Sequence, residues 1–68
     1  MNWNLENLNV SGMYMGEIPI TGRVRLSRIK YGGSIAHHVD LDTPVTIYGT
    51  IRESVILNHF EIQTVSDN

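Results

Sequence analysis

Between Ile20 and Ser27 the chain alternates without a break, with Ile20, Gly22, Val24 and Leu26 set against Thr21, Arg23, Arg25 and Ser27. Successive side chains of a strand point to opposite faces, so this pattern predicts a strand with one face on a core and a basic face toward solvent. After Ser27 the phase changes, because Ile29 and Tyr31 now hold the apolar positions. One inserted residue at Ser27-Arg28, a β-bulge, accounts for the change and bends the strand as a small barrel requires. Gly32-Gly33 marks a turn. The following run, Ser34 to Leu41, places Ile35, His37, Val39 and Leu41 on one face and Ala36, His38 and Asp40 on the other. Asp42-Thr43-Pro44 turns the chain again. Val45, Ile47, Gly49 and Ile51 then alternate with Thr46, Tyr48, Thr50 and Arg52, and Val55 to Leu57 forms a further strand. Asn58-His59-Phe60 reads as one tight helical turn, and Glu61 to Val65 as a short closing strand.

Upstream, Gly12 to Gly16 reads as a strand, and Glu17-Ile18-Pro19 as a connection, since proline has no N–H to give a central strand. Residues 1–9 form a polar, asparagine-rich arm with Trp3, Leu5 and Leu8 at a loosely helical spacing. No stretch sustains the i, i+3, i+4 apolar stripe of a long helix. The expectation is one all-β domain over residues 1–68: an arm at 1–9, a small five-stranded SH3-like barrel at 10–65, and a frayed tail at 66–68.

Length changes the picture by limiting the core. A 68-residue chain buries only about 60% of the surface its unfolded form exposes. Domains this small commonly add disulfides, a metal or a partner subunit. The chain has no cysteine, which removes disulfides, thiolate zinc sites and cysteine nucleophiles together. Self-association is then the leading way to bury more apolar surface. The net charge of −2 provides no global field toward nucleic acid or anionic lipid. The N-terminal residues carry neither a basic cluster nor a continuous apolar run, so neither a secretory signal nor a membrane anchor is expected, and the protein reads as cytoplasmic.

The run from Ile20 to Val65 resembles an SH3-like barrel in its order of parts: a long bent strand, a glycine turn, two strands, then a short turn into a brief last strand. More narrowly, Tyr31-Gly32-Gly33, Leu41-Asp42-Thr43-Pro44, Tyr48-Gly49 with Arg52, and Val55-Ile56-Leu57 together resemble short uncharacterised proteins of tailed bacteriophages of marine bacteria. That resemblance implies a phage accessory protein acting in the host cytoplasm, and brings no activity with it. The plasmid-borne dihydrofolate reductases share the barrel, and Val45-Thr46-Ile47-Tyr48 is similar to their pore-lining Val-Gln-Ile-Tyr. Here the run precedes a further strand and turn, and threonine stands where they have glutamine, so their activity is not carried over.

Three constellations bear on chemistry. Arg23, Arg25, Arg28 and Lys30 lie within eight residues; with Tyr31 or Tyr48 as a stacking surface they are what a nucleic-acid site needs, while a solvated strand face paired with Glu17, Asp40 or Asp42 is the plainer reading. His38 and Asp40 share a face, and His59 could join them as metal ligands; His37 points inward, as a neutral imidazole bonded to backbone. Ser27, Ser34 and Ser54 are present without a Gly-x-Ser-x-Gly elbow or a phosphate-cradling loop, so no catalytic residue and no cofactor is expected. Finally, Trp3, Met13, Tyr14, Met15, Ile18, Tyr48 and Ile56 exceed what one small core encloses, and Ile56 is out of phase with Val55 and Leu57. Residues of these kinds suit an interface. The expectation is a non-enzymatic binding or structural module whose partners are a second copy, or a host or phage protein. A nucleic-acid-binding barrel is the alternative.

Overall fold

A computed structural model describes residues 3–67 of the chain; Met1 and Asn2 of the arm and Asn68 of the tail lie outside the described residues. Five strands follow in order, β1 (Asn9–Tyr14), β2 (Ile18–Ile29), β3 (Ile35–Ile47), β4 (Thr50–Asn58) and β5 (Ile62–Ser66), with a 3-10 turn at His59–Glu61 between the last two. They form one antiparallel sheet in the order β4-β3-β2-β1-β5. The sheet is open, with β4 and β5 as its edges. It curls enough to bring β4 near β1.

Five features of the sequence reading move. Asp42-Thr43-Pro44 does not end a strand: β3 runs through it as a bulged stretch, with the register to β4 shifting between Asp40 and Val45. The reversal comes at Tyr48-Gly49, both at positive φ (51° and 79°), as the twist of a two-residue hairpin demands. Tyrosine is a strand former, so alternation carried the expected strand straight across this turn. The expected bulge at Ser27-Arg28 lies at Arg25, which has no partner between the pairs Val24↔Val39 and Leu26↔His38. Pro19 sits inside β2, near its start, where it pairs with Met13 of β1, and β3 joins only from Gly22 on. The first strand begins at Asn9, ahead of Gly12. Ser66, expected in the tail, pairs with Asn9 at the end of β5.

The core is built from rows of register partners. Val24, Val39 and Val55 make one row across β2, β3 and β4, and Ser27, His37 and Leu57 the next; all six are buried. Val10, Ile20 and Ile47 extend the apolar cluster, and Leu5 of the arm joins it. Fully burying a valine or leucine side chain is worth roughly 1.5–3 kcal/mol, so this small set supplies most of the stability. The arm is therefore structural. It makes a turn, with Leu8 N–H donating to Leu5 C=O and Asn7 at φ 70°, instead of a helical stretch. It then pairs with β2: Asn7 N–H donates to Val24 C=O, and Val24 N–H to Leu8 C=O.

Candidate functional site

Moving the bulge to Arg25 decides which side chains share the outer face. Before it the odd positions of β2 are exposed; after it Leu26 and Arg28 are, Ser27 turns into the core, and Ile29, expected at an apolar position, is exposed at the strand's end. Arg23, Arg25, Arg28 and Lys30 are all exposed, and Leu26, expected in the core, is 41% exposed between them. Leu26 pairs with His38, and His38 with Ile56, giving a row across β2, β3 and β4 in which two aliphatic side chains flank an imidazole. On one side of the row lie Arg28, Ala36 and Asn58, with Lys30 Nζ donating to Asn58 Oδ1 at 3.3 Å. On the other lie Arg23, Asp40 and Ser54, with Arg25 Nε 3.2 Å from Asp40 Oδ1. The arginines that looked scattered around a phase change thus surround one strip of apolar surface. Of the three anions offered as partners for them, Asp40 is the one engaged.

The aromatic candidates do not join this face as a platform. Tyr31 lies in the β2–β3 turn and Tyr48 in the β3–β4 turn, at opposite ends of a thirteen-residue strand. At ~3.3 Å per residue that strand is about 40 Å along its contour. Ile56 is exposed, as its phase requires, and so is Met15. Trp3, Met13 and Tyr14 are half-buried, Tyr14 and Ile18 against the core. Met13 and Met15 line an apolar groove of about 540 Å3 with Phe60, next to the 3-10 turn. The proposed interface residues therefore divide between the outer face and this groove, and Trp3 stands in the arm.

His38, Asp40 and His59 are not brought together. His38 sits in the outer row and Asp40 is bound to Arg25, whereas His59 is hydrogen-bonded to His37. Among the described residues no group of three or more His, Asp or Glu side chains is placed to hold a metal ion.

A polar chain that alternation concealed runs through the core. Leu5 N–H donates to Ser27 Oγ at 3.0 Å, Ser27 Oγ lies 2.7 Å from His37 Nδ1, and His37 Nε2 lies 2.8 Å from His59 Nδ1. Glu6 Oε2 accepts Ser27 N–H. His37 is inward as expected, but its partners are side chains. Burial, and next the neighbouring His59, hold its pKa below the usual 6.5, so it is neutral at pH 7. A serine on an imidazole backed by a second imidazole has the connectivity of a nucleophile and base. Ser27, however, is 5% exposed and is roofed by Leu5, which leaves no approach for a substrate; the chain is a satisfied core network. The sign that could have found it was His37 itself, an inward imidazole that needs two partners.

Comparison of the chain with protein-family models, with curated proteins and with solved structures finds no match. Among the described residues no helix is long and apolar enough to cross a membrane.

Proposed function

We propose that this protein is a non-enzymatic binding module, a small SH3-like barrel that acts through protein contacts on its outer sheet face. The observation that carries the reading is the row in which exposed Leu26 and Ile56 flank the half-buried His38, with Arg23, Arg25, Arg28 and Lys30 around it. Apolar contact supplies affinity, and a cationic border selects a partner segment bearing carboxylates beside an aliphatic side chain. The order of strands and the 3-10 turn ahead of β5 support the barrel assignment. The similarity of Tyr31-Gly32-Gly33 and Leu41-Asp42-Thr43-Pro44 to phage proteins supports a phage accessory role in the host cytoplasm. Exposed Met15, Ile51, Ile56 and Phe60 support association with a second copy.

The second reading is a nucleic-acid interface, favoured by the placement of all four cations on one face. It lacks a paired aromatic platform there, and such platforms contribute about 1–3 kcal/mol per stacked base. One titration separates the two. The protein is followed by amide NMR against a peptide of alternating Glu and Leu and against single-stranded DNA, at low and physiological salt. Shifts centred on Leu26, His38 and Ile56 with the peptide, abolished by Arg23→Glu with Arg28→Glu, support the protein-contact reading. Binding of DNA alone, weakening steeply with salt, replaces it with the second. Sedimentation of the wild type and of Ile56→Lys tests self-association; a monomer at all concentrations removes the second copy from the reading.

A further inference from the structure

The chain from Leu5 through Ser27 and His37 to His59 fixes where its protons sit. Ser27 Oγ already accepts Leu5 N–H, so its one O–H must be given away, and the acceptor in reach is His37 Nδ1. His37 therefore carries its hydrogen on Nε2 and donates it to His59 Nδ1. His59 in turn keeps its own hydrogen on Nε2. Each hydrogen bond from Leu5 to His59 then has one donor and one acceptor, and His59 Nε2 lies at the half-buried end of the chain.

While the His37–His59 bond is kept, a third hydrogen on the two imidazoles has one place to go. Nδ1 of His59 and Nε2 of His37 share one hydrogen between them, and Nε2 of His59 is already protonated. The added proton must settle on His37 Nδ1, against Ser27. That reverses the Ser27 bond: Ser27 Oγ now faces two N–H donors, and its own O–H loses its acceptor inside the core. A buried donor left unsatisfied costs about 1–3 kcal/mol. What covers the hydroxyl is the arm, since Leu5 N–H sits on Ser27 Oγ and Glu6 Oε2 on Ser27 N–H. Water reaches the orphaned O–H when that segment lifts.

We propose that the Leu5–Glu6 segment of the arm is a proton-released latch: neutral His37 holds Leu5 on Ser27 through the serine hydroxyl, and a proton taken up at His37 Nδ1 detaches that segment while the sheet persists. The charged groups around the pair are engaged elsewhere or point away from it. From the arm, Glu6 is engaged by Ser27 N–H; from the 3-10 turn, Glu61 Oε1 is held by Asn58 N–H and Nδ2. Just past β2, Lys30 is on Asn58, and from β2 Arg28 points to the exposed outer face. Leu57, which pairs with His37 from β4, is apolar. The depressed pKa of His37 places the event on the acid side of neutrality.

The test uses the sole tryptophan, Trp3, which lies in the arm. Its emission and the β-sheet circular dichroism are followed together from pH 8 to pH 4.5. The expected result is a red shift of Trp3 emission with a midpoint below pH 6.5 and an unchanged sheet signal. Constant emission, or emission that moves together with loss of the sheet, overturns the latch. In His37→Gln the amide reproduces the neutral pattern, accepting from Ser27 and donating to His59, and takes no proton; the red shift should vanish. A shift retained at the same midpoint overturns the assignment. If that variant does not fold, imidazole nitrogen NMR of the wild type at pH 7.5 decides: Nε2–H on both histidines is required, and Nδ1–H on His37 refutes the latch.

Discussion

Replacing Gly22 with alanine would place a methyl group where two strands nearly touch. A Cβ there would lie 2.8 Å from Val39 Cγ1 and 2.9 Å from the Asp40 carbonyl carbon, and closer still to the Asp40 carbonyl oxygen. Ordinary contact begins at 3.4 Å. The Val39 methyl can retreat by a rotamer change, but the Asp40 backbone cannot, because it is held between Arg23 of β2 and Ser54 of β4. The strands must part where Gly22 pairs with Leu41. Overpacking of this kind costs about 1–3 kcal/mol, and a ladder hydrogen bond lost with it about 1 kcal/mol more. A total of about 2–4 kcal/mol corresponds to a fall in Tm of roughly 10–30 °C for a domain of this size. Urea unfolding of Gly22→Ala beside Gly16→Ala measures it. Gly16 has open space around it and φ +74°, so its alanine carries left-handed strain alone, about 1–2 kcal/mol. If Gly22→Ala is no less stable than Gly16→Ala, the close approach of β2 and β3 is wrong, and with it the curl that gathers the core.

Leu57→Ala, at a fully buried position, should lower the unfolding free energy by about 2–5 kcal/mol, read by urea titration. Arg25→Ala should change it by no more than about 0.5 kcal/mol, since its bridge to Asp40 is 61% and 57% exposed; a larger loss would mean that the bridge organises the bulge. Stability should be full above pH 6.5 and decline as the pH falls below it. The depressed pKa of folded His37 lets the unfolded chain bind more protons in that window. Thermal melts at pH 7.5, 6.5 and 5.5 check the direction, and a rise on acidification would contradict the neutral assignment.

Much of this architecture is legible in the chain. The alternation of Ile20, Gly22 and Val24 marks one buried face, the Gly32-Gly33 turn lies where a positive φ is needed, and Asn58-His59-Phe60 announces the turn before β5. His37 and Val39 read as inward because they alternate with polar neighbours, and Ile56 reads as outward because it falls between two core residues. These are local properties, set by the period-two geometry of a strand and by the residues a turn tolerates.

What the sequence by itself determined is thus the strand content, the buried face of β2 up to Val24, and an excess of apolar surface over what one core holds. Tertiary structure decided the rest, because a one-residue bulge exchanges faces and its position is chosen by distant partners. The arm binds Val24 through Asn7 and Leu8, and takes Ser27 through Leu5 and Glu6. Those contacts accompany an inward Ser27 and an extra residue at Arg25. From that single placement follow both the outer strip of Leu26, His38 and Ile56 among four cations and the buried chain from Ser27 to His59. Contacts between residues some twenty positions apart leave no periodic trace in the sequence, and so the outer strip and the buried polar chain became visible only once the strands were laid side by side.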